Sequence, residues 1–331
     1  MKEKKSLKVS IIVPVHNAGE RLYKCLDTLV NQTLREIEII LVLDCPTDGS
    51  DKIAKEYAAK DDRIIILENE TNLHIGNSRN RGLEIARGEY IGFSDHDDYR
   101  ELTMYEELYS EAIVHNAELV LGNMLAVEDR YEENYYPILP PDQLKEFALT
   151  DLLEGGDDLN FNPHAVNILP NLYKNSFLNK HNIAFVDTKI CTPEDLIFQL
   201  MCLFHVRNLV LYDKPVYFHT AHSSNTGESK QYTHYNVTVN GKAFIYNFLN
   251  QNNAYQHYKL HFLKGVKKLF TDSLLSELIY TRSLNKFVEA MHLMKSFPFT
   301  KDAYRNSRYS LVRYRVFGKI SRKIVFFLMK H

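Results

Sequence analysis

Residues 9–17 read Val9-Ser10-Ile11-Ile12-Val13-Pro14-Val15-His16-Asn17. The run is almost wholly apolar, is stopped by Pro14, and is followed by polar residues through Gly19. Such a run is the signal of a strand buried on both faces. Leu22, Cys25, Leu26, Leu29 and Val30 then fall at helical spacing. The alternation repeats down the chain. Ile37 to Leu43 is a second apolar run, broken at Asp44-Cys45-Pro46-Thr47-Asp48-Gly49, after which Ser50 or Asp51 can cap a helix carrying Ile53, Ala54 and Tyr57. Ile64 to Leu67 is a third strand, a helix runs from about Gly76 to Arg87, and Tyr90 to Phe93 is a fourth strand ending in Asp95-His96-Asp97-Asp98. Apolar strands separated by helices of ~10–15 residues predict βαβ units on a buried parallel sheet. Ligands of such sheets bind beyond the carboxyl ends of the strands. Pro14–Asn17, Asp44–Asp48 and Asp95–Asp98 therefore belong to one edge and one site.

Beyond this block the pattern thins. Residues 118–124 predict one more strand, and residues 128–165, rich in Tyr, Pro, Asp and Asn, read as a variable insertion. Regularity returns at Leu169–Phe185, in a helix around Glu194–Phe198, and in two strands, Leu209–Tyr212 and Val216–His219. From about residue 235 onward the expectation is mostly helix, with no internal repeat. The segments are thus 1–125, 126–235 and 236–331.

Composition narrows the class. The chain has 331 residues, 45% apolar and 25% charged, the balance of a folded globular protein and not of a disordered chain. No apolar run approaches the ~18–20 residues that cross a bilayer, and the charged start reads as a strand entry, not a signal peptide. Four cysteines with no C-x-x-C pair fit a reducing cytoplasm. Charge is uneven: residues 301–331 hold nine Lys/Arg and one acid, so that with a net charge of −2 the remainder carries −10. From Arg308 this tail reads as an amphipathic helix. Arg308, Arg315 and Arg322, with Lys319, lie on one side and Phe317, Ile320, Ile324, Phe327 and Leu328 on the other. Such a stretch, residues 305–331, suits an anionic membrane surface or packs on the body with its basic side in water. The acidic body speaks against nucleic acid.

Several chemistries are missing. There is no G-x-G-x-x-G after the first strand, no phosphate-binding G-x-x-x-x-G-K-[ST], no H-E-x-x-H and no G-x-S-x-G. The strongest positive signal is Asp95-His96-Asp97-Asp98. Carboxylates two apart at a strand end can face one Mg²⁺ or Mn²⁺ carrying a diphosphate, or form a solvated turn that caps the next helix. An EF-hand fails, since Arg100 stands where its loop needs Gly. Asp44 can accept hydrogen bonds from a ribose or a base edge, or belong to a capping turn with Asp48 and Ser50. Arg79 and Arg81 are near enough to bind phosphate, or line an exposed helix face. Glu194-Asp195 opens an apolar helix as a cap or dipole partner, and acts as a general base only if the fold sets it opposite the acidic turn. His219 and His222 can add a metal ligand or touch phosphate; structural roles are the commoner fate of unpaired histidines.

Taken together these segments strongly resemble the family 2 glycosyltransferases of GT-A fold, inverting enzymes of bacterial capsule, lipopolysaccharide and exopolysaccharide synthesis. The resemblance runs from Ser10–Asn17 through Gln32-Thr33, Glu38–Asp44, Asn72–Gly82 and Ala86–Ile91 to Asp95–Asp98, then Asn171–Lys174 and Pro193–Phe198. It implies an α/β GT-A fold with a parallel-type central sheet: residues 1–125 as the nucleotide-sugar half, 126–235 as the acceptor half, and a mostly helical C-terminal region. By the same resemblance Pro14, His16, Asn17 and Asp44 would hold the nucleotide, with Arg79 near its diphosphate. Asp95 and Asp97 would be the D-x-D pair, Asp97 the more direct ligand of Mn²⁺ or Mg²⁺; from the residues alone, His222 is a further candidate metal ligand. Asp195, beside Glu194, would take the acceptor proton. The implied partners are a nucleotide-sugar donor, UDP-linked by expectation, and a saccharide or lipid-linked saccharide acceptor, at the cytoplasmic face of the inner membrane. The helical C-terminal third suits a homo-oligomer as well as a membrane. Two departures fall in the nucleotide segment. Cys45-Pro46 replaces the usual Gly-Ser, and Leu43 stands where an acid is frequent. The competing classes are a nucleotide- or saccharide-binding module of the same fold and a sugar nucleotidyltransferase; the latter needs a Gly-rich basic loop that His16-Asn17-Ala18-Gly19-Glu20 does not supply.

Overall fold

Strands β1 (Val9–Val15) and β2 (Ile37–Leu43) are buried at every position, as their unbroken apolar composition demands. They pair in parallel, Val9 opposite Ile37 through Val15 opposite Leu43. β3 (Ile64–Glu68) extends the sheet on β2, and β4 (Tyr90–Phe93) lies parallel to β1 on its other side. Between them run α1 (Arg21–Val30), α2 (Ser50–Ala58) and α3 (His74–Ile85). Leu22, Cys25, Leu26 and Leu29 form the buried stripe of α1, the helical periodicity already present in the sequence. Helix α3 approaches β1 closely: a Cβ on Gly82 would stand 2.4 Å from Ile12 Cγ2.

Pro14 does not stop the first strand. Ile12 accepts the Ser94 amide on the β4 side, and Pro14 faces that same side two residues later, where β4 has already ended at Phe93. The missing proline N–H therefore leaves no ladder bond unmade, while the Pro14 carbonyl accepts from His96 Nδ1 at 3.1 Å.

The rest of the sheet comprises β5 (Tyr99–Arg100), β6 (Leu119–Val127), β7 (Leu172–Lys174) and β8 (Leu209–Thr220), in the order β3-β2-β1-β4-β7-β6-β8-β5. β7 is antiparallel to both β4 and β6, and β8 is parallel to β6. The carboxyl ends of β1, β2, β4, β6 and β8 thus share one edge. The two strands expected at 209–212 and 216–219 are one strand, β8. Asp213-Lys214-Pro215 is an exposed interruption absorbed by register shifts against β6 around Asn123. Flanking helices are α4 (Met104–Val114), α5 (Pro141–Glu154), α6 (Asn175–Lys180) and α7 (Glu194–His205). Helix α5 falls within the segment read as an insertion.

This computed structural model describes residues 6–127, 141–154, 167–220, 235–266, 292 and 296–299. Two compact units divide the chain, 1–152 with 156–241 and 153–155 with 242–331. The first holds the sheet. The second is helical in its described residues, with α8 (Tyr235–Gln251) running into it and a further helix over 255–266; Leu249, Phe262, Val266 and Phe299 are buried there. No helix among the described residues is long and apolar enough to cross a membrane. His222 and the basic stretch 305–331 lie outside the described residues.

Candidate active site

The loops after β1 and β2 are latched together. His16 Nδ1 donates to the Asp44 carbonyl at 2.6 Å, so the proton sits on Nδ1 and Nε2 is an acceptor, with Asn17 Nδ2 at 3.4 Å. Asn17 adopts the left-handed region, φ 50°, and its Oδ1 accepts the Thr47 amide at 2.8 Å. Ser50 Oγ accepts the Ala18 and Gly19 amides, each at 3.0 Å, and donates to Asp48. Asp48, which also accepts the Ser50 amide, is the capping-turn acid. Asp44 has a different task. Only 3% exposed, it accepts from Asn69 Nδ2 and the Leu73 amide, both at 2.7 Å on Oδ1, and so fixes the chain entering α3.

The acidic turn after β4 is held from three sides. Asp98 is fully buried; it accepts from Tyr217 Oη at 2.8 Å, His219 Nδ1 at 3.2 Å and the Thr220 amide at 2.8 Å. The Tyr217 hydroxyl in turn accepts the Asp95 amide at 3.1 Å. His219 is pushed above its ordinary pKa chiefly by its hydrogen bond to Asp98. Asp97 lies 3.5 Å from Arg21 Nη1, at the start of α1.

Arg79 is the hub. Its side chain is 4% exposed and stands over the Phe185 ring at 5.2 Å. Nη2 donates to Asp95 Oδ1 at 3.0 Å and Nη1 to Glu194 Oε1 at 3.4 Å. Burial pushes Asp95 upward, Arg79 opposes it, and Asp98 and Asp97 add to the rise. Burial, then the neighbouring Asp195, lift Glu194 to about 7 against the pull of Arg79. Asp195, the second residue of α7, accepts the Leu196 amide on Oδ1 at 2.7 Å. The loop leading into α7 is clasped to α3. Thr188 Oγ1 accepts the Gly76 amide at 3.0 Å, and Lys189 Nζ donates to the Asn72 carbonyl at 2.6 Å.

The fold therefore gathers Pro14, His16, Asn17, Asp44, Arg79, Asp95, Asp97, Glu194 and Asp195 at one sheet edge. Arg79 is not an open phosphate ligand here but a buried bridge between two acids. Among the described residues no three Asp, Glu, His or Cys side chains converge on one cation position. The Asp95 and Asp97 carboxylates are nevertheless the hard oxygen donors with which Mg²⁺ or Mn²⁺ binds when substrate phosphates complete the shell. Sequence reasoning gave no role to Asp98, Tyr217 or Arg21, nor any partner to His219. The available signal was the spacing of Tyr217 and His219, two apart on a strand and hence on one face.

Comparison with known proteins bears on the fold and the family. Residues 10–169 match the model of the family described as Glycosyl transferase family 2. EpsH of Bacillus subtilis is 31% identical over 258 residues, 76% of this chain and 72% of EpsH. The Glycosyltransferase GlyA of Streptococcus pneumoniae is 38% identical over 132 residues, 40% of this chain but only 19% of GlyA's own length, far below two thirds. Staphylococcus aureus TarS residues 1–349, solved in complex with UDP-GlcNAc, superposes with a TM-score of 0.66 at 20% identity, covering 89% of this chain and 83% of that one. The same fragment was also solved with UDP. With a mixed α/β sheet of GT-A type, its acids ranged along the carboxyl edge and a relative matched over most of both chains, this chain belongs to glycosyl transferase family 2.

Proposed function

We propose that the protein is an inverting glycosyltransferase that moves a sugar, hexosyl or N-acetylhexosaminyl, from a nucleotide donor to a saccharide or lipid-linked saccharide acceptor in cell-surface polysaccharide synthesis. The observation that carries this reading is the Arg79 bridge. It sets a donor-side carboxylate, Asp95, and the acid pair Glu194-Asp195 on opposite sides of one guanidinium, at 3.0 and 3.4 Å. Transfer needs two such sets, one where a diphosphate departs and one where a hydroxyl loses its proton. His16, Asn17, Asp44 and Pro14 would frame the nucleotide; the TarS complexes support a uridine nucleotide.

Asp97 and Asp95, with His222, would hold Mn²⁺ or Mg²⁺, which when bound supplies charge stabilisation to the leaving diphosphate. The acceptor oxygen attacks the anomeric carbon as its bond to the diphosphate breaks. Asp195 takes the acceptor proton, and its Oδ2, which accepts no hydrogen bond among the described residues, is the natural site, because Oδ1 is engaged by the Leu196 amide. Attack from the face opposite the leaving group inverts the configuration. The basic stretch 305–331 would bring the enzyme to an anionic membrane face on the cytoplasmic side; recovery in the membrane fraction unchanged by its removal would exclude that role.

The test is calorimetric binding of nucleoside diphosphates with and without Mn²⁺, together with donor turnover. Metal-dependent UDP binding is the expected result. Asp97→Asn should weaken it, and Asp195→Asn should bind donor yet fail to transfer. Equal donor affinity in wild type and Asp97→Asn would refute the donor assignment, and a fully active Asp195→Asn the base. Binding of no nucleotide would overturn the reading as a whole.

A further inference from the structure

Arg100, which the sequence singled out only because it rules out an EF-hand, is 2% exposed and follows the acidic turn directly, in β5. Its guanidinium pairs with no carboxylate among the described residues. Nη1 donates to the Cys25 carbonyl at 3.2 Å. Nη2 donates to Ser94 Oγ at 2.6 Å and to the Asp98 carbonyl at 3.3 Å, with Cys25 Sγ at 3.7 Å. Nε is buried without a partner, and the Tyr217 ring lies 5.5 Å away. An arginine buried without a counter-ion is costly, and an apolar side chain would fill the same space more cheaply.

The bonds it makes all lead to one place. Ser94 Oγ in turn donates a hydrogen bond to the Asp95 carbonyl at 3.0 Å, and Cys25 Sγ lies 3.4 Å from the same oxygen. One rigid fork thus grips the acidic turn at both ends: at Ser94 and through it the Asp95 backbone, and at the Asp98 carbonyl just beyond Asp97. From the other side, Tyr217 Oη holds the Asp95 amide and the Asp98 carboxylate, and the guanidinium lies against that ring. Arg100 and Tyr217 clamp the turn between them.

We infer that Arg100 is a positioning residue of the donor site, fixing the separation and orientation of Asp95 and Asp97 from beneath without touching the donor. This rests on the reading of those two carboxylates as donor ligands. The requirement is for the planar fork and not for charge alone: Nη1 serves the Cys25 carbonyl while Nη2 serves Ser94 and Asp98, and one ammonium cannot occupy both donor positions.

The experiment compares Arg100→Lys, Ser94→Ala and, as a control for stability lost elsewhere, Glu38→Gln, whose site lies at the opposite end of β1 and β2. Two quantities are read: UDP affinity in Mn²⁺ by calorimetry, and hydrogen exchange of the Asp95 and Thr220 amides, which report the turn and its strap. Arg100→Lys should weaken UDP binding by about tenfold or more, the loss of one charge-assisted hydrogen bond, and should speed exchange at both amides. Ser94→Ala should act in the same direction, and Glu38→Gln should leave both readouts as in wild type. The inference is overturned if Arg100→Lys and Ser94→Ala lose thermal stability while keeping wild-type UDP affinity and exchange. If Arg100→Lys does not fold, Ser94→Ala decides. If wild type binds no nucleotide, the donor reading falls, and the exchange rates still decide whether Arg100 holds the turn.

Discussion

Replacing Glu194 by Gln should make the protein more stable at pH 8 while impairing transfer. Glu194 is lifted from an ordinary 4.5 to about 7, burial being the first cause and the Asp195 charge the second. Each tenfold change in acidity is worth about 1.4 kcal/mol, so ionising Glu194 in the folded protein costs about 3 kcal/mol relative to the unfolded chain. The folded value is the higher one. The stabilising contribution of the protonated form is therefore complete below about 4.5 and is lost as pH rises through about 7. Glutamine keeps the shape of the protonated acid and never ionises, so its stability lacks this decline. His219 also titrates with a raised folded value, but it is common to both proteins and cancels in the comparison. With a urea dependence of about 3 kcal/mol per molar for a chain of this size, the variant should hold its midpoint up to about 1 M above wild type at pH 8, the two converging near pH 4.5. Urea unfolding at four pH values across this range measures it. Parallel midpoint curves for the two proteins would refute the reasoning, because they would mean that Glu194 titrates alike in both states.

Two further substitutions probe the scaffold around the site. Gly76→Ala places a Cβ 2.5 Å from the Val186 carbonyl and 2.7 Å from Thr188 Oγ1; displacing the loop that delivers Glu194 and Asp195 should cut kcat by about 10²-fold with little change in UDP affinity, and an unchanged kcat would contradict this. Glu38 is 2% exposed and is bonded to Ser10 Oγ at 2.6 Å and to the Arg87 backbone and guanidinium at 2.6 to 3.0 Å; Glu38→Ala should cost about 2–4 kcal/mol, and a loss under 0.5 kcal/mol by urea titration, well below about 1 kcal/mol for an ordinary hydrogen bond, would show that water replaces the network.

How far the sequence reached depends on the range of the interactions concerned. Strands β1, β2 and β4 were legible because both faces of each are covered, so burial writes an unbroken apolar run into the chain, and β2 and β4 begin and end where the composition changes; β3, at the sheet edge and only part-buried beyond Ile64, was legible from its apolar run alone. Strand β8 was not legible as one strand. Pro215 breaks the pattern, and whether a proline ends a strand or sits at a bulge is decided by the neighbour β6, more than 80 residues upstream. Pro14 teaches the same lesson in reverse: β4 stops short of it, and no local signal reveals that. The site divides along the same line. Acids at strand ends were found by their position in βαβ units, a local rule. The contacts that give them chemical character, Arg79 to Glu194 across 115 positions and Asp98 to Tyr217 across 119, exist only once the sheet is assembled. Arg100 marks the limit most sharply. A lone arginine after an acidic run reads as a solvated charge, and only burial turns it into the fork that the acidic turn closes around.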